Sequence, residues 1–240
     1  MSASMELAAK SINLLYLDAK ASAEPIRLAL FISDIPFNDV RVSYAQIASM
    51  RESGYLPFGQ VPALEVDGKV YVQSQAILRW VGRQTRLYPN HLQLQADQVD
   101  EALADIKHSL LPAWYGAVMG RNPTTGEPLL RLDEQQRAMT IELLNSVVLP
   151  TRLAQLDRLL TVTSDGPFVC GEEMTIADLS LYVFAAGLQD GTGVPPGIST
   201  TILRPFSRIL KVLHKVENHE KVIAWNNRAS PAPAETTHNS

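Results

Sequence analysis

The sequence predicts a mixed architecture, an α/β unit over residues 1–86 followed by an all-helical bundle unit over residues 90–228. Three observations carry that reading. Short apolar runs of strand character flank a helical pattern in the first third of the chain. An Asp-Gly dipeptide at 67–68 separates two alternating four-residue segments, ALEV and KVYV. Beyond Tyr88-Pro89-Asn90 the apolar periodicity is helical throughout, with no strand pattern.

Each element follows from its residues. INLLYLD at 12–18 is a short apolar run suited to a buried strand. Pro25 then stands where a helix tolerates it, because a first-turn residue has no intrahelical use for an N–H. The helix it opens is apolar on most faces, as expected of a helix covered on two sides. A second strand is expected over 37–44, where DVRV alternates. Val61 precedes a proline, so it is pushed to an extended conformation, and an X-Pro bond is the one kind that readily becomes cis. ALEV and KVYV then form a hairpin across Asp67-Gly68, since Gly accepts positive φ at little cost. Gln73-Ser74 precedes Ile77, Leu78 and Val81 at helical spacing, so Ser74 reads as the N-cap of a helix running to about Thr85. The order β-α-β, hairpin, helix is a compact unit of thioredoxin type.

In the second unit, helical periods run over 92–119, 133–160, 176–188, 204–217 and 221–227, with Pro112 and Pro150 expected to kink their helices. Thr175 and Asp178 read as an N-cap and its N3 partner. Residues 229–240, ASPAPAETTHNS, are polar and Pro-rich and are expected to be a disordered tail.

Composition narrows the function classes. The 240 residues are 46% hydrophobic and 19% charged with a net charge of -4. That gives no basic footprint for nucleic acid or an anionic membrane. No apolar run approaches the ~18 residues of a membrane span, and MSASMELAAKS lacks the layout of a signal peptide, so a cytoplasmic location is expected. The one cysteine, Cys170, fits a reducing compartment and reads as a buried, inert thiol. The five histidines show no metal-ligand spacing, and no glycine-rich phosphate loop occurs, so no metal is expected.

Three segments carry a resemblance: YLDAKASAEPIRLAL from Tyr16, FGQVPALEVDGKVYVQSQAILRW from Phe58, and GPFVCGEEMTIADLSLY from Gly166. Together they resemble the cytosolic glutathione transferases, the tyrosine-type classes and the sigma class above all. The resemblance implies a thioredoxin-like glutathione-binding domain, a helical electrophile-binding domain, and glutathione as co-substrate. It implies that Tyr16 donates a hydrogen bond to the glutathione thiol. Val61, beside a cis-Pro62, would pair through its backbone with the cysteinyl part, while Gln60, Gln73 and Ser74 would meet the γ-glutamyl end. An acidic residue of the first long helix would reach the partner subunit's site in a homodimer. Asp105 is favoured for this, with Asp97 and Asp100 as alternatives. Phe58 stands where many members present an aromatic key to the partner. Leu111, Trp114 and Tyr115 would line the electrophile pocket.

The chain also departs from the family pattern. The loop after Tyr16 carries Ala19-Lys20 in place of Gly-Arg, which exchanges a planar fork for a flexible ammonium. Residues 43–56 lack the usual tryptophan and lysine that hold the glycyl carboxylate, leaving Tyr44 and Arg51 as substitutes. The resemblance therefore implies a transferase that conjugates glutathione to small hydrophobic electrophiles. Two alternatives stay open, a glutathione-dependent isomerase like the prostaglandin D synthases and an idle binding or structural protein like the related lens crystallins.

Overall fold

The computed structural model describes residues 10–114, 132–192 and 194–228, with side chains outside 108–114. In chain order the elements are β1 (Ile12–Tyr16), a 3-10 turn (Ala21–Ala23), α1 (Glu24–Ile32), β2 (Asn38–Arg41), α2 (Tyr44–Glu52), β3 (Ala63–Val66), β4 (Lys69–Val72) and α3 (Ser74–Gln84). There follow α4 (Gln93–Trp114), α5 (Glu134–Leu143), a π-helical turn (Leu144–Val148), α6 (Leu149–Thr163), α7 (Ile176–Asp190), α8 (Ser207–Glu217) and α9 (Glu220–Asn226). The chain divides into two compact units. The first runs to Arg86 and takes in the residues from Glu220 onward, and the second is Leu87–His219.

The first unit is built on a four-stranded mixed sheet in the order β2-β1-β3-β4. β1 runs parallel to β2, and β3 is antiparallel to both β1 and β4. The expected hairpin forms with Asp67 at φ 48 and Gly68 at φ 80, the positive values a tight two-residue turn requires. Lys10 fastens it by an ion pair to Asp67 at 3.0 Å, and the Ser11 N–H donates to the same carboxylate. Glu24 through Leu30 of α1 are all buried, and Leu14, Ile26, Leu28, Leu30, Leu64 and Ile77 form the fully enclosed core. A smaller cluster, Leu15, Val42, Ile47, Leu56 and Ala63, lies under α2.

Three features differ from the sequence expectation. Helix α2 is absent from it, because only Ile47 of its nine residues is buried and no apolar stripe marks the segment. A reciprocal capping box between Ser43 and Gln46 starts it instead. The second strand is shorter than the 37–44 window and ends at Arg41, where the backbone turns into that box. Helix α9, which periodicity assigns to the helical domain, is counted with the first unit. Trp225 sets its ring 5.2 Å from Phe31 and 6.1 Å from Phe37, and Lys221 pairs with Asp34.

The helical unit encloses Leu103 and Ile106 of α4, Leu149, Leu153, Leu156 and Leu160 of α6, Leu181 and Leu188 of α7, and Ile209, Val212 and Val216 of α8. The Pro150 disturbance takes the form of the π turn. A proline cannot donate to the carbonyl four residues back and its ring crowds that carbonyl, so the turn before it widens. Leu149 N–H accordingly reaches Leu144 O, five residues back. Pro112 lies where α4 side chains are outside the described set. Thr175 and Asp178 form the expected box, the carboxylate accepting from Thr175 N at 2.8 Å and also from Val169 N at 2.7 Å. Arg208 closes the C-terminal end of α6 by donating to the carbonyls of Leu160 and Ser164, and it also donates to Phe168 O in the loop that follows. No described helix is long and apolar enough to cross a membrane.

Candidate functional site

One end of the sheet gathers the chemistry. Tyr16 is the last residue of β1, paired in register with Arg41 of β2. Leu15 beside it faces Ala63, and Ala63 faces Val72, so the starts of β3 and α3 lie at that same end. The Val61-Pro62 bond is cis, as expected. Tyr16, Val61-Pro62, Gln60 and Gln73-Ser74 are thus brought to one edge by strand register alone.

Tyr16 is 9% exposed, and burial raises its phenol above the ordinary value. Hydrogen bonds with the Ser22 hydroxyl and backbone pull the other way, as does the positive charge of Arg27, while Tyr44 adds a small upward push. The phenol therefore keeps its proton near neutrality and has it to donate. The Arg27 guanidinium carbon sits 5.7 Å from the Tyr16 ring centroid, within the range of a cation–π contact.

Arg27 is fully buried, and its partners explain how it is tolerated. It donates to Asp39 at 2.9 Å, to Glu24 at 3.0 Å and to the Ala19 carbonyl at 2.7 Å. Asp39 also accepts from Arg41, which reaches Asp18 at 3.3 Å. Residues 19–23, between Tyr16 and α1, are held from beneath by this network. They include Ala21 at φ 36, a left-handed conformation that costs a residue with a Cβ about 1–2 kcal/mol. Lys20 is exposed and lines a cavity of about 1000 Å³ with Asp18, Glu24, Asp39, Phe37 and Trp225.

At the second half of the edge the Gln73 amide lies 3.4 Å from the Gln60 side-chain oxygen, so these two residues meet. Arg51 donates to the Gly59 carbonyl at 2.5 Å, which sets its guanidinium beside the residue preceding Gln60. The N-cap expectation for Ser74 is overturned. Gln73 takes the cap position with φ 73 and ψ 103, Ser74 is already helical, and no side-chain cap hydrogen bond forms. A capping side chain needs an extended backbone to swing its oxygen over the first turn, and the positive φ at Gln73 takes up that bend one residue early.

Other expected residues lie elsewhere. Asp105 is half exposed on α4 and pairs with Arg152 of α6 at 3.1 Å. Asp97 accepts from the Tyr88 hydroxyl, and Asp100 is buried. Leu111 and Trp114 fall where α4 side chains are not described, and Tyr115 and the tail at 229–240 lie outside the described residues. Arg27 was missed by sequence reasoning, and its signal was the i,i+3 spacing from Glu24 in EPIR. Among the described residues no group of three or more His, Cys, Asp or Glu is placed to hold a metal ion.

Comparison with known proteins adds an independent line. Residues 22–84 match the family model "Glutathione S-transferase, N-terminal domain", and residues 127–229 match "Glutathione S-transferase, C-terminal domain". The chain is 29% identical to a glutathione S-transferase of Anopheles gambiae over 88% of its own length and 92% of the relative's. It is 30% identical to glutathione S-transferase P of Caenorhabditis elegans, over 72% of this chain and 74% of that one. In fold it is similar to prostaglandin synthase D of Nilaparvata lugens, with a TM-score of 0.74 at 24% identity, covering 92% of this chain and 100% of that one.

Proposed function

This chain belongs to the glutathione S-transferase family and is a glutathione transferase, and from that premise we propose that Tyr16 activates the bound glutathione thiol for attack on a small hydrophobic electrophile. A free thiol titrates near ~8.5, so little of it is nucleophilic thiolate at neutral pH. A hydrogen bond donated to the sulfur is worth roughly 1.5–3 kcal/mol, enough to lower the thiol pKa by about one to two units. The observation that carries this reading is the buried Tyr16 phenol at the end of β1, where burial favours the protonated form and the Ser22 hydroxyl and the Arg27 charge face it. On this reading the protein is a tyrosine-type, sigma-like enzyme working in the cytosol as a homodimer, in a detoxifying role.

The remaining contacts follow the resemblance. Gln60, Gln73 and Ser74 hold the γ-glutamyl end, where the Ser74 hydroxyl, free of any capping duty, and the open α3 N-terminus suit a carboxylate. The Val61 backbone beside Pro62 pairs with the cysteinyl part, and Arg51 and Lys20 supply cations for the glycyl carboxylate and the sulfur. Leu111, Trp114 and Tyr115 meet the electrophile, and Asp105 reaches the partner subunit's glutathione, exchanging Arg152 for the γ-glutamyl amine.

A glutathione-dependent isomerase would use the same thiolate, and the similarity in fold to a prostaglandin synthase makes it the second reading. Purified protein assayed with glutathione against aryl halides, enals, organic hydroperoxides and prostaglandin H2 separates the two. Conjugation of aryl halides or enals supports the first reading. Turnover of prostaglandin H2 alone supports the second, and turnover of neither class contradicts both.

A further inference from the structure

The fully buried Arg27 beneath Tyr16 is linked to the far end of the chain. The Trp225 indole N–H donates to Glu24 Oε1 at 2.7 Å, and the other Glu24 oxygen accepts from Arg27 Nη1 at 3.0 Å. That same Nη1 donates to the Ala19 carbonyl, which precedes the turn carrying Ser22 to the phenol. All of these residues belong to the first unit. Glu24 is 3% exposed and Arg27 0%, so little solvent screens the chain of contacts, and a change at one member passes to the next.

We propose that Trp225 and Glu24 are positioning residues for the transferase reaction, setting how much of the Arg27 charge acts on the Tyr16 phenol. The proposal rests on the reading that Tyr16 is the thiol's donor. Two opposite demands meet at Glu24. Its carboxylate holds the guanidinium in place and also neutralises it, while the indole N–H takes up part of the carboxylate's negative charge. With the indole donor present, Arg27 acts more strongly on the phenol, whose O–H becomes a better hydrogen-bond donor to sulfur.

The test is the ionisation of the Tyr16 phenol in the ligand-free full-length protein, read from ultraviolet difference spectra after subtracting Tyr16→Phe. Trp225→Phe keeps an aromatic ring beside Phe31 and Phe37 but removes the N–H. It is expected to raise the phenol pKa by about half a unit and to slow turnover several-fold near pH 6.5, with recovery at higher pH. Glu24→Gln keeps the shape but removes the charge and is expected to shift the phenol the other way. Phenol titrations of both variants that superimpose on the wild type, with only the melting temperature changed, would overturn the inference. Because this readout needs no glutathione, it is independent of the thiol reading. A bound thiol indifferent to Tyr16→Phe would sink that reading by itself, whatever the phenol titrations show.

Discussion

Burial, deep at Tyr16 but only partial at Cys170, holds the proton on both, and the groups facing each decide what that means for reactivity. Tyr16 meets a hydroxyl, a backbone donor and a guanidinium, which offset part of the upward push of burial on a phenol that keeps its proton to donate. Cys170, which the sequence led one to expect fully buried, meets the Asp178 carboxylate, and its partial burial together with that charge pushes its thiol up to about 11, with only the Thr175 hydroxyl, 4.0 Å away, pulling down. A thiol near 11 is about one part in a thousand thiolate at pH 8, against about a quarter for an ordinary cysteine. Carbamidomethylation of native Cys170 at pH 8, followed by mass spectrometry, should therefore run at least about 100-fold slower than that of free cysteine. The rate should rise about tenfold per pH unit up to pH 10. A rate like that of free cysteine would show that the site opens or that the thiol is not held protonated.

Two helix starts separate folding from binding at the scale of elements. At α7, Asp178 satisfies the buried N–H groups of Val169 and Thr175 together, so Asp178→Ala should cost about 2–5 kcal/mol in equilibrium unfolding. At α3, Ser74 makes no cap hydrogen bond, so Ser74→Ala should change stability by no more than about 0.5 kcal/mol while weakening glutathione binding in calorimetry. A large loss of stability with unchanged affinity would return Ser74 to a structural role. These starts also mark what the sequence could disclose. The hairpin strands were legible to the residue because Asp67-Gly68 fixes the turn and alternation fixes the faces. The α7 box was legible because both its partners lie within four residues. The α3 cap was misassigned because the bend sits in the backbone of Gln73, a residue with no visible preference for positive φ. Helix α2 was hidden for want of an apolar stripe. The link from Trp225 to Glu24 spans 201 residues, a distance at which local pattern carries no signal.

For the whole molecule, assembly and chemistry are tested separately. Phe58 is 64% exposed, a large aromatic held out in the loop before Gln60, and Asp105 is proposed to complete a partner's site. The protein should therefore sediment as a dimer of about twice 26.4 kDa at micromolar concentration, and Phe58→Ser should shift it toward monomer. An active monomer would contradict a shared site. Of the proposed site, the residues at one sheet edge were legible because a short strand, a cis-proline turn and a helix start share that edge by register. The Arg27 support beneath them left only its i,i+3 spacing from Glu24 as a trace, because its other partners, Asp39 and the Ala19 carbonyl, are brought to it by the fold. The most direct test of the account is the thiolate absorbance of bound glutathione titrated against pH in the wild type and in Tyr16→Phe, which keeps the ring and removes the donor. The expected result is a bound-thiol pKa about one to two units higher in Tyr16→Phe, with glutathione affinity little changed and turnover near neutral pH roughly ten- to two-hundred-fold slower. Superimposable titrations and equal rates in the two proteins would contradict it.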